Sequence, residues 1–125
     1  MTTILLVEDN ELNRDMLTRR LSRRGYDVVM ADSAPTAVEQ ANKTNPDLIL
    51  MDVSLGETSG LDATREIRAT QNGNRVPIIA LTAHALSTDR EQCLEAGCDD
   101  FETKPVDMDR LLRKLSTWLG EAADA

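Results

Sequence analysis

Three short apolar runs stand out along the chain: Ile4-Leu5-Leu6-Val7, Leu48-Ile49-Leu50-Met51, and residues 76–81, broken only by Pro77. Each is strand-length and nearly continuous, the pattern of a strand covered on both faces. A weaker strand is Tyr26-Asp27-Val28-Val29-Met30-Ala31, and another centres on Phe101, with Asp99, Asp100 and Glu102 around it. Glu102 inside that segment marks it as an edge, where a charge discourages unwanted pairing. Between these runs the apolar period becomes helical. Leu12, Met16, Leu17 and Leu21 recur on one side of a helix that Asn10 can cap and Gly25 can end. Ser33 and Pro35 open a second helix with Ala37, Val38 and Ala41 as its inner face, and Asn45-Pro46 breaks it. Residues 53–60 read as a loop. Leu61, Ala63, Thr64, Ile67 and Arg68 begin a third helix, and Asn72-Gly73-Asn74 turns the chain back. Residues 87–96 form a fourth helix stopped by Gly97, and a last helix carries Met108, Leu111, Leu112, Leu115, Trp118 and Leu119.

This alternation predicts an α/β protein of flavodoxin-like type: a three-layer sandwich whose five-stranded parallel sheet has helices on both faces. Right-handed crossovers favour the strand order 2-1-3-4-5, with strands one and three side by side. The strand ends then carry the chemistry. The first closes on Glu8-Asp9, the third on Asp52 and the fourth on Thr82, while the fifth runs into Lys104-Pro105. In a parallel sheet these C-terminal ends share one rim, where ligands bind. Three carboxylates there could hold a divalent cation, and the cation, hydroxyl and ammonium could bind a phosphoryl group. Each residue also has an ordinary explanation. Glu8 and Asp9 suit the dipole of the helix that follows, Thr82 suits a strand, and Lys104 suits solvent. None of these explanations covers all four strand ends.

Composition narrows the classes. The 125 residues suit one domain over 1–120, followed by a loose tail at 121–125. A formal net charge of -8 argues against nucleic acid as a direct partner. Arg14, Arg19, Arg20, Arg23 and Arg24 nevertheless gather in the first helix, either as a solvated face or as a dock for an acidic partner surface. Cys93 and Cys98 match no zinc or redox spacing and read as buried thiols. Tyr26, Phe101 and Trp118 are the only aromatics, too few for base stacking. No apolar run reaches the ~18 residues of a membrane span, and no signal peptide precedes the first strand. A cytoplasmic protein without membrane contact is expected.

Val7-Glu8-Asp9-Asn10, Asp52 with Gly60 eight residues on, Leu81-Thr82-Ala83 and Phe101-Glu102-Thr103-Lys104-Pro105 occur in order across essentially the whole chain. Together they resemble the receiver domain of two-component response regulators, of the stand-alone, chemotaxis-regulator-like type. The resemblance implies that Asp52 is the phosphoacceptor. It implies Mg2+, with Mn2+ as a substitute, held by Asp9, Asp52 and the backbone carbonyl of Ser54, with Glu8 acting mainly through water. It implies that Thr82 and Lys104 contact the phosphoryl group, that Thr82 and Phe101 form a switch, and that Lys104–Pro105 is cis. Gly60 belongs to the same motif as a structural position. The implied donor is a histidine kinase or a histidine phosphotransfer domain, and the signal leaves through contacts with an unidentified downstream protein or by onward transfer. The only catalysis implied is of the protein's own phosphorylation and autodephosphorylation.

Two positions depart from the family pattern. Gly56 stands where proline is usual, which frees the loop, and Glu102 stands where an apolar residue is frequent. His84 and Ser54 border, by resemblance, the path of water to the acyl phosphate. A lone histidine as an incidental position stands beside a role in tuning hydrolysis. A receiver fold that only binds proteins is the first rival, and intact Asp9, Asp52, Thr82 and Lys104 speak against it. A flavodoxin-like cofactor protein would meet repulsion between Glu8-Asp9 and a phosphate. An aspartyl-phosphate phosphatase would want an acid where Ser54 stands.

Overall fold

The computed structural model describes residues 2–55, 58–70, 76–83 and 87–120. In chain order the elements are β1 (Thr3–Val7), α1 (Glu11–Arg23), β2 (Asp27–Ala31), α2 (Ala34–Thr44), β3 (Leu48–Asp52), β4 (Ser54–Leu55), β5 (Thr58–Ser59), α3 (Gly60–Thr70), β6 (Ile78–Thr82), α4 (Ser87–Ala96), β7 (Asp100–Thr103) and α5 (Met108–Leu119). The main sheet is parallel throughout in the order β2-β1-β3-β6-β7, which is 2-1-3-4-5 when its own five strands are counted. The expected loop after Asp52 contains a small antiparallel pair, with Ser54 opposite Ser59 and Leu55 opposite Thr58. Gly56, the turn at 72–74, His84 and the tail at 121–125 lie outside the described residues.

Local chemistry explains the helix ends. Asn10, Ser33 and Asp107 each accept a backbone N–H three residues on, capping α1, α2 and α5. Gly25, at φ 91°, takes the left-handed turn after α1 that other residues resist.

Alternating strand residues feed two cores. Ile4, Leu6, Leu48, Leu50, Ile79 and Leu81 pack with Leu17 and Leu21 of α1 and Leu111 and Leu115 of α5. Leu5, Val7, Ile49, Met51, Ile78 and Ala80 pack with α2, α3 and α4 on the other side. The inner face of α1 is narrower than its apolar pattern suggests. Leu12 is 80% exposed and Met16 36%, whereas Leu17 and Leu21 are buried. Leu12 and Met16 form their own stripe, ~140° around the helix from Leu17 and Leu21, and the sheet covers only one of the two. β7 is an edge strand as expected, but Glu102 does not guard that edge in solvent. It is 2% exposed and lies 3.2 Å from both Arg110 and Lys114 of α5. No described helix is long and apolar enough to cross a membrane.

Candidate functional site

Glu8 directly follows β1. Its N–H donates to the Ala31 carbonyl at 3.0 Å, and its own carbonyl accepts from Arg14 Nη1 at 3.0 Å. Asp9 is exposed beside it, and Asn10 accepts the Asn13 N–H at 3.0 Å to start α1. The acidic pair therefore sits at a helix N-terminus, where aligned peptide dipoles favour negative charge. Asp52 closes β3, next to β1, and is 2% exposed. Gly60 opens α3 against the peptide of Asp52, and its N–H donates to the Val53 carbonyl at 3.0 Å.

Lys104 arrives from the other side. Its amide donates to the Thr82 carbonyl at 2.8 Å as β7 ends, and the peptide bond to Pro105 is cis. The ammonium lies 3.1 Å from Asp52 Oδ2 and 3.2 Å and 3.3 Å from the two Glu8 carboxylate oxygens. Glu8, Asp9, Asp52 and Lys104 thus converge from three strand ends. Thr82 stands at the end of β6, 5% exposed, opposite Thr103 of β7. Phe101 lies one strand over, opposite Ala80, so it shares the β6–β7 ladder with Thr82 without entering the acidic cluster. Its ring is half-buried between the Arg90 guanidinium, 4.6 Å from the centroid, and the Lys114 ammonium at 5.2 Å. The Ser54 backbone lies in β4, just past Asp52. The Ser54 side chain and His84, for which tuning of hydrolysis stands beside an incidental position, lie outside the described residues.

Electrostatics tests whether a cation belongs here. One carboxylate oxygen from each of Glu8, Asp9 and Asp52 lies within 4.8 Å of the others. Burial pushes the Glu8 carboxyl up to about 7, with a further rise from Asp52, by hydrogen bond and charge, and an opposing pull from Lys104. Burial alone would depress Lys104, but Asp52 and then Glu8 outweigh it and hold the ammonium above its ordinary value. One ammonium does not offset three carboxylates. A divalent cation removes that imbalance, and an all-oxygen donor set matches Mg2+.

Three contacts around the site could not be read from spacing. The sequence places Arg14 among the arginines of the first helix, yet its side chain turns back to the Glu8 carbonyl. Arg90 and Lys114, which flank Phe101, come from α4 and α5. Only packed helices bring such long side chains together, so no local periodicity announces them.

Comparison with known proteins agrees with this geometry. Residues 4–116 match the response regulator receiver domain. The polar-differentiation response regulator DivK of Brucella ovis is 34% identical over 120 residues, covering 96% of this chain and 98% of DivK. The receiver domain of the sensor histidine kinase PA1611 from Pseudomonas aeruginosa PAO1 is 48% identical with a TM-score of 0.87, over 96% of this chain and 98% of that one. Its crystal structure has a magnesium ion coordinated in the active-site cleft. A putative response regulator from Chloroflexus aurantiacus J-10-fl is 29% identical with a TM-score of 0.89, again over 96% and 98% of the two chains. A match that spans nearly all of both sequences as well as the fold is a statement of common descent, and this chain belongs to the response regulator receiver domain family, phosphorelay modules with an acidic Mg2+ site.

Proposed function

We propose that Asp52 takes the phosphoryl group, from a phosphohistidine on a histidine kinase or a histidine phosphotransfer domain. The observation that carries this reading is the Lys104 ammonium, 3.1 Å from Asp52 and 3.2 Å from Glu8 at one cluster of strand ends. A carboxylate oxygen of Asp52 attacks phosphorus. The new O–P bond forms as the P–N bond breaks, and the imidazole leaves. Asp9, Asp52 and the Ser54 carbonyl are the proposed Mg2+ ligands, with Glu8 acting through water. Bound Mg2+ supplies positive charge to the phosphoryl oxygens. Lys104 neutralises further charge, and Thr82 offers its hydroxyl to the transferred group. Thr82 and Phe101 on neighbouring strands form the proposed switch, which changes the surface from β6 to α5 and with it the affinity for a downstream protein. The proposed compartment is the cytoplasm, in keeping with Cys93 and Cys98 as buried thiols outside any disulfide.

Intact-mass measurement with acetyl phosphate, with and without Mg2+, tests the reading. The wild type gains one phosphoryl group only when Mg2+ is present, and Asp52→Asn gains none. A full mass shift in Asp52→Asn overturns the assignment.

A further inference from the structure

Of the five arginines in α1 and at its C-terminal end, Arg19, Arg20, Arg23 and Arg24 are exposed, and Arg14 is half-buried. Arg14 Nη1 turns back toward the strand end and donates to the Glu8 carbonyl at 3.0 Å. That carbonyl lies one residue past the β1 ladders, which end at Val7 on both sides. A backbone acceptor leaving a sheet needs a new donor. The peptide before Glu8 still has a strand partner, because the Glu8 N–H donates to Ala31. The peptide joining Glu8 to Asp9 is held by Arg14. A peptide is planar, so holding its carbonyl sets the direction from one Cα to the next. Here the two Cα atoms carry two of the three carboxylates whose oxygens lie within 4.8 Å of one another.

We propose that Arg14 is a positioning residue for the Mg2+ site: by holding the Glu8 carbonyl it sets the Glu8–Asp9 peptide, and with it the spacing of the acidic cluster. The proposal rests on reading that cluster as the Mg2+ site. Arg14 acts through geometry. The groups that shift the Glu8 carboxyl are its own burial, Asp52 and Lys104. A single donor on a long stem is therefore the property that matters, and lysine supplies one.

The test is a Mg2+ titration followed by backbone amide NMR shifts on the wild type, Arg14→Met and Arg14→Lys, at a temperature where all are folded. Methionine keeps much of the apolar stem and lacks the donor. Arg14→Met weakens Mg2+ binding about threefold to tenfold, the effect of losing one hydrogen bond of ordinary strength. Arg14→Lys recovers most of that loss, whereas a residue that only supports folding would change the melting temperature and leave the affinity alone. Should Arg14→Met fail to fold, Arg14→Gln, which has a donor without the reach, takes its place with the same expected weakening. Wild-type affinity in the donor-deleted or shortened variant overturns the proposal, and so does an equal loss in Arg14→Lys. A wild type without Mg2+-dependent shifts overturns the reading of the cluster itself, an outcome distinct from failure of the Arg14 assignment.

Discussion

A Cβ on Gly60 would lie 2.0 Å from the carbonyl oxygen of Asp52 and 3.0 Å from the Cα of Val53. The first residue of α3 is thus packed on the peptide that carries the proposed phosphoacceptor, closer than any side chain allows. The demand is steric, since nothing here needs a left-handed backbone. Gly60→Ala forces the end of β3 and the start of α3 apart, and overpacking of this kind costs about 1–3 kcal/mol. Urea denaturation reads that loss, and phosphorylation by acetyl phosphate slows because Asp52 moves with its peptide. A variant with wild-type stability and rate would show that the contact relaxes freely. In the sequence, this glycine is singled out by the resemblance to receiver domains, eight residues after Asp52. The partner of the close contact, Asp52's own carbonyl, is visible only in three dimensions.

The pairing of α5 with β7 is unusually polar for two packed elements. Lys114 lies 3.3 Å from Asp100 and 3.2 Å from Glu102, and also donates to the Phe101 carbonyl, while the Trp118 indole N–H donates to Asp100 at 3.0 Å. Glu102 is the buried member, and its cationic partners keep contact with water. Replacing the acid removes a desolvation cost, whereas removing a cation strands the acid. Glu102→Leu is therefore expected to leave stability within ~1 kcal/mol of wild type or to raise it. Lys114→Met costs about 2–3 kcal/mol, because Arg110 remains as a partial partner. Urea midpoints of the two variants decide the matter, and the reverse order would contradict it. Asp100 sets a pH limit on the same seam. Burial alone would raise its carboxyl, but Trp118, the Phe101 N–H and Lys114 outweigh burial and hold it below the ordinary value of 3.8. A depressed folded value contributes stability above the unfolded value, and that contribution is lost as pH falls through the folded one. The stability gap between wild type and Asp100→Asn is expected to narrow at acid pH below the ordinary carboxylate range. A gap that stays constant into that range would dissociate Asp100 from the seam.

At the scale of the molecule, one sheet carries both cores, so neither can melt without exposing the strands that support the other. Leu111→Ala on the α5 side and Ile67→Ala on the α3 side are each expected to cost about 2–5 kcal/mol while keeping a single urea transition by both fluorescence and circular dichroism. Leu12→Ala, at a position 80% exposed, should stay within ~0.5 kcal/mol of wild type. Two separated transitions in either core variant would show that the layers unfold independently. The five strands of the main sheet, their order and the convergence of Glu8, Asp9, Asp52 and Lys104 were legible from the chain alone, whereas the β4–β5 pair lies in a stretch that reads as a loop. Buried strands announce themselves as unbroken apolar runs, and the handedness of crossovers limits how parallel strands can be ordered. The exposure of Leu12, the burial of Glu102, the inward turn of Arg14 and the two cations around Phe101 were decided only by tertiary structure. A helix has more apolar stripes than a sheet can cover, and a long polar side chain takes its partner from whichever element packs within reach, which no period along the sequence encodes.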